Sequence, residues 1–170
     1  MHPNEQLIQK FYSSFQKKNW KGMQECYHPE LIFNDSVFKN LDYKKASAMW
    51  HMLLEGGKDL ELKFDGIQAD DNSGKAHWIA TYTFSKTGNK VINDIHASFE
   101  IKDGKIFRHT DKFDFHNWSK QALGLPGLLF GKFKFLQNKV TETATKTLYK
   151  FIQQHPEKYT VFAVSAFNRM

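Results

Sequence analysis

Apolar residues near the start of the chain recur at three- and four-residue intervals, placing Leu7, Ile8, Phe11, Tyr12 and Phe15 on one side of a helix over residues 4–16. Asn19 can cap a second, short helix running to about Cys26. After His28-Pro29 the segment LIFNDSVF reads as a short strand. Asp42 then offers an N-cap for a helix from Tyr43 to about Glu55, ended by Gly56-Gly57. From Asp59 the period changes to two: β-branched and aromatic segments at 59–69, 75–85, 90–102 and 105–116 alternate with polar turns and predict an antiparallel meander. Asp103-Gly104 predicts a two-residue type I′ hairpin, whose two central positions both need positive φ. NWSKQALGLPGLLFG reads as a glycine-punctuated connection. A last amphipathic helix follows, with Phe133, Leu136, Val140, Ala144, Leu148 and Phe151 on one side, ending near His155-Pro156. Helices followed by a meander predict an α+β fold, a curved antiparallel sheet covered on one face by N-terminal helices, with a C-terminal helical extension.

A chain of 170 residues, 41% hydrophobic, is long enough for one core and too short for two ordinary ones. The boundaries expected are a domain over 1–118 and an extension over 119–170 packed on or beside it. Cys26 is the sole cysteine, so neither an intrachain disulfide nor a cysteine-rich metal site can form. No segment approaches the roughly 20 apolar residues of a membrane span and the first residues show no signal-peptide pattern, so a cytoplasmic location is expected. The net charge of +6 resides entirely in residues 117–170, where seven lysines and Arg169 meet only Glu142 and Glu157. No nucleic-acid motif accompanies it. The simplest reading is a solvated helix face; association of that basic helix with an anionic surface stays open.

Helix, helix, short strand, helix and four-strand meander is an order that resembles the superfamily of nuclear transport factor 2, ketosteroid isomerase and SnoaL-like proteins. Two segments carry the likeness, FNDSVF after His-Pro and DGKIFRHTDKFDFHNW. The first is similar to the isomerase segment whose aspartate is the general base, and Asp35 falls on that position, with Ser36 in place of the usual proline. The second resembles the last strand of limonene epoxide hydrolase, with Asp111 on its pocket acid. The resemblance implies a hydrophobic pocket, acid–base chemistry without a cofactor, and an apolar carbonyl or polyketide-like ligand. The oxyanion-hole tyrosine of the isomerases falls on Phe11, with Tyr12 beside it, and their protonated aspartate falls on His96. HWIATYTF lacks the arginine and aspartate of the epoxide hydrolases, so neither catalytic set is complete.

Continuing the Asp103-Gly104 hairpin in regular register sets His96 opposite Asp111 and Ser98 opposite His109, all on one face. The expected site therefore has Asp35, His96 and Asp111 as catalytic groups, lined by Tyr12, Trp50, Trp78, Tyr82, Ser98 and His109. A carboxylate beside an imidazole can orient a base; it can equally be a cross-strand ion pair that sets register. A metal set of His96, His109 and Asp111 with His77 has no spacing signature, so no metal is expected. Because both faces of the meander carry aromatic or β-branched residues, a homodimer through the convex face is expected. Two classes of function remain: a cofactor-free isomerase, cyclase or hydrolase, and a noncatalytic protein that binds a lipid-like ligand or scaffolds as a dimer.

Overall fold

Tertiary packing gives each amphipathic segment its buried face, and the computed structural model, which describes residues 1–159, shows where each goes. Helix α1 (Pro3–Gln16) starts at a capping box in which the His2 ring accepts from the Asn4 N–H and Glu5 reaches back to the His2 N–H. It buries Ile8, Phe11, Tyr12 and Phe15, each side chain of this size contributing about 1.5–3 kcal/mol by leaving water. Asn19 caps α2 (Trp20–Gln24), and Asp42 caps α3 (Tyr43–Gly56) by accepting from the Lys45 N–H at 2.8 Å. Strand β1 (Tyr27–Asn34) begins four residues earlier than LIFNDSVF suggested and stops before Asp35; β2 (Leu41–Asp42) pairs antiparallel to it.

The meander is β3 (Glu61–Ala69), β4 (Ser73–Phe84), β5 (Asn89–Lys102) and β6 (Lys105–Lys112). The six strands form one sheet in the order β2-β1-β6-β5-β4-β3, with β1 parallel to β6. The fold is α+β, a curved, unclosed sheet with helices on its inner face. Gly66, at φ +61, marks a register shift in β3 that helps bend the sheet. The outer face of the sheet differs from expectation. It presents Lys63, Lys75, Asp94, Ser98, Glu100 and Arg108, with Ile79 and Ile92 among them, and of the aromatic side chains Phe107 lies under Lys102 and Arg108 while Phe64, Trp78, Tyr82 and Phe99 point inward.

The region read as a connection contains two helices, α4 (Phe115–Leu123) and α5 (Leu125–Phe130). Asp114 caps α4 by accepting from the Asn117 N–H, and Trp118 and Ala122, one turn apart, bury the face that meets β5. Beyond the end of β6 the backbone of Ile92 would be an open strand edge; Gln121 closes it, accepting from the Ile92 N–H and donating to its carbonyl. Gly127 and Gly131 serve close packing, and Gly124 a positive φ. A Cβ on Gly127 would lie 1.8 Å from the Ser119 carbonyl oxygen, so α5 can approach α4 only without a side chain there.

Helix α6 (Lys134–Gln154) packs against α3, and α7 (Pro156–Tyr159) brings the Tyr159 hydroxyl within 2.9 Å of His51 Nδ1. Leu148 and Tyr159 join the apolar cluster of α1, α3 and the sheet. Phe133, expected on the inner side of the last helix, is exposed, as are Leu125, Leu128, Leu129, Phe130 and Phe135 around it. Positions 160–170 of the expected extension lie outside the described residues. No helix among the described residues is long and apolar enough to cross a membrane.

Candidate active site on the inner face of the sheet

The hairpin turns as expected, with Asp103 at φ 52, Gly104 at φ 67 and Lys102 opposite Lys105. One residue later the register slips. Ile101 pairs with Ile106 but Glu100 pairs with Arg108, so Phe107 is an extra residue in β6. A slip of one exchanges the faces of every residue beyond it. Asp111 therefore sits opposite Ala97, His109 opposite Phe99, and His96 opposite Lys112. The expected His96–Asp111 contact does not exist: Asp111 is buried on the inner face, whereas His96 and Ser98 are exposed on the outer one. Both leave the candidate site.

What faces inward is a connected polar chain in an aromatic interior. The Trp50 indole N–H donates to the Tyr27 hydroxyl at 2.8 Å, and that hydroxyl lies 2.9 Å from His109 Nδ1. His109 Nε2 lies 3.0 Å from Asp111 Oδ1, which also accepts from the Trp78 indole N–H at 3.2 Å. The Asp111 carboxylate can only accept, so a ring proton of His109 sits on Nε2, aimed at it; with that tautomer Nδ1 accepts from the Tyr27 hydroxyl, which itself accepts from Trp50. Proton assignment thus runs in one direction from Trp50 to the carboxylate. Asp111 Oδ2 accepts no hydrogen bond from the described residues, and the side chain keeps 3% exposure while His109 keeps none. Phe11, Phe33, Trp50 and Phe99 ring His109, with centroids 4.6–6.2 Å away.

Tyr12 stands beside this chain, stacked on Phe64 and tilted against Trp78. Its hydroxyl is the one fully buried side-chain polar atom without a partner among the described residues. Burial, and then the negative charge of Asp111, push its pKa well above the usual phenol value, so it remains a donor. Tyr82 is also turned inward, but its hydroxyl accepts from the Trp118 indole at 2.9 Å, which ties it to α4.

Asp35 follows β1 on a turn pinned from two sides: the Ser36 hydroxyl donates to the Phe113 carbonyl, and the Gln137 amide of α6 donates to the Ser36 carbonyl. Asp35 Oδ1 accepts from the backbone N–H groups of Val37 and Phe38. The carboxyl is half-buried. Burial raises its pKa to about 6, the two N–H groups hold the rise back, and repulsion from Asp111 adds to it. Of the nine side chains expected at the site, the structure brings Tyr12, Trp50, Trp78, His109 and Asp111 together, sets Asp35 within electrostatic reach, gives Tyr82 another partner, and removes His96 and Ser98. Tyr27, central to the chain, was missed. Its signal was the alternation Tyr27, Leu31, Phe33 along a strand that starts earlier than its aliphatic part.

The profile of the SnoaL-like domain matches residues 8–109, which is more than half the chain. The chain belongs to the SnoaL-like domain family. Comparison with curated proteins found no match. Among solved structures, this SnoaL-like protein is similar to one from Jannaschia sp. CCS1 assigned as a SnoaL-like polyketide cyclase, at 13% identity over 73% of this chain and 93% of that one, with a TM-score of 0.64. A limonene-epoxide-hydrolase-like enzyme of M. tuberculosis matches at 18% identity over 75% and 95%, with a TM-score of 0.59. TerC, co-crystallised with polyporic acid, matches at 17% over 72% and 99%, with a TM-score of 0.60. At these identities the likeness is one of fold. An open concavity of about 310 Å³ lies at the β3–β4 turn, lined by Gln68, Asp70 and Lys75, and shares no residue with the polar chain.

Proposed function

We propose that this SnoaL-like protein binds a small apolar carbonyl or polyketide-like molecule on the inner face of its sheet and moves a proton on it without a cofactor. The observation that carries this reading is the buried His109–Asp111 pair, held from both ends by Tyr27 and Trp78, beside an unpartnered buried phenol. Buried polar groups are ordinarily satisfied, and a donor left without a partner points to a group that arrives. In this scheme Asp35 takes the proton next to the carbonyl, and the carbonyl oxygen gathers the charge. Tyr12 donates its hydroxyl proton in a hydrogen bond to that oxygen. Asp111, oriented by His109 and Trp78, acts through Asp35, since its charge makes Asp35 a stronger base. The cyclase name of one structural relative and the polyporic acid bound to another agree with this ligand class.

A noncatalytic protein that binds a lipid-like ligand or scaffolds as a dimer is the competing reading, and the close ring packing of Phe11, Phe15, Trp50 and Trp78, which fills the interior, favours the scaffold. Exchange of the α-protons of 2-tetralone in D₂O, followed by proton NMR, separates the two. Acceleration above buffer that falls by ~10²–10⁴-fold in Asp35→Asn and also falls in Tyr12→Phe is expected of the enzyme. Binding of 2-tetralone without acceleration makes the protein a binding module.

A further inference from the structure

The one-residue slip that turns Asp111 inward also turns His96 outward, onto a face where it meets other metal-binding groups. His77 of β4 and His96 of β5 are directly paired across the strands, and their rings lie 4.9 Å apart between centroids. Asp94, two residues before His96, points to the same side. Its Oδ1 lies 2.9 Å from His77 Nε2 and 3.8 Å from His96 Nε2. One donor atom from each of the three residues falls within 4.8 Å of the others. On the far side of His77, Asp65 of β3 takes Nδ1 at 3.0 Å.

From this geometry we infer that His77, Asp94 and His96 form a binding site for a divalent first-row transition ion of the zinc type. Two imidazoles and one carboxylate suit zinc, nickel or copper and do not suit magnesium or calcium, which take all-oxygen sets. The dimensions fit. Tetrahedral zinc with ligands at about 2.0–2.2 Å sets neighbouring donors about 3.4 Å apart. The 2.9 Å pair must open and the 3.8 Å pair must close, each by about 0.5 Å, and the two imidazole donors, no more than 4.8 Å apart, must settle at the same spacing, which side-chain rotation on paired strands can supply. Asp65 has the place of an outer carboxylate: accepting from Nδ1–H of His77, it holds the proton there, and Nε2 takes the ion by giving up its own proton and its bond to Asp94. Lys112, opposite His96, opposes a cation there, while Asp65 and Asp94 supply two negative charges against it. The remaining coordination positions face solvent, because His96 and Asp94 are exposed. The site is separate from the inner-face chain, which contributes none of its ligands.

Isothermal titration of the purified full chain with zinc chloride tests this. One zinc ion per chain is expected, with no saturable binding of magnesium chloride. His77→Ala and His96→Ala should each abolish the saturable phase, and Asp65→Asn should weaken it by ~10-fold or more. These side chains are on the surface, and circular dichroism of each variant establishes that it is folded. NMR of the imidazoles should show zinc displacing the His77 and His96 resonances and leaving His109 in place. No saturable zinc binding by the wild type overturns the inference; so does binding that survives loss of either histidine, or a stoichiometry of one ion per two chains.

Discussion

Replacing Asp35 by asparagine should make the protein more stable at neutral pH. Asp35 titrates near 6 in the folded chain, against 3.8 for an unperturbed aspartate. Folding therefore favours its protonated form, so the folded state holds more protons than the unfolded state between those two values. Stability must then fall as pH rises through that window and stay reduced above it. A difference of about 2 units at 1.36 kcal/mol per unit gives a loss of about 3 kcal/mol. Asparagine keeps an Oδ1 that can accept from Val37 and Phe38 and has no charge to bury. Urea denaturation of wild type and Asp35→Asn at a series of pH values isolates the effect, because titrating groups not coupled to Asp35 cancel in the difference and only its charged neighbours Asp111 and Lys39 remain. The two proteins should agree below about pH 4 and diverge to about 3 kcal/mol in favour of the variant above about pH 6. Parallel profiles, or a variant less stable at pH 7, would refute the burial assigned to Asp35. An acid kept ionised at a cost in stability is what a functional base requires.

Other consequences concern particular contacts. Tyr27→Phe removes the hydroxyl shared by Trp50 and His109 and should cost about 1–3 kcal/mol in urea denaturation by leaving buried groups unpaired; an unchanged midpoint would show that the chain of donors is not formed. Gly127→Ala places a methyl against the Ser119 carbonyl and should destabilise by about 1–3 kcal/mol, whereas Gly88→Ala, where a Cβ meets nothing, should suffer only the smaller strain of its positive φ. A homodimer through the outer sheet face is proposed as well; it would cover His77, Asp94 and His96, so zinc should oppose it, and with Lys63, Lys75, Glu100 and Arg108 on that face it should weaken with salt. Sedimentation equilibrium showing only monomer at micromolar concentration and low salt would count against it.

The fold was readable because its devices are local. Capping by Asn19 and Asp42 and positive φ at Asp103-Gly104 each depend on a few neighbouring residues, and each forms as expected. The site was only partly readable because its composition depends on strand register, and register depends on a single extra residue. Phe107 bears no mark of a bulge by itself. The conflict lies in the polar ends of the strand: Lys105 and Lys112, seven residues apart, cannot both face water along a regular strand of period two, so one slip between them is required. Helices α4 and α5 were missed because glycine and proline were read as breakers, when Gly127 serves a close approach of two helices and Asp114 opens the first of them.

The claim that a small apolar carbonyl compound enters beside Asp111 is tested most directly by the four indole N–H resonances in a ¹⁵N–¹H NMR spectrum during titration with 2-tetralone. Trp78 donates to Asp111 and Trp50 to Tyr27, so both report on the inner-face chain; Trp118 donates to Tyr82 near α4, and Trp20 stacks on His51 away from it. The account predicts saturable shifts of the Trp78 and Trp50 resonances with Trp20 unmoved, and loss of the Trp78 shift in Asp111→Asn. Shifts confined to Trp20 or Trp118, or no saturable shift at all, would contradict it.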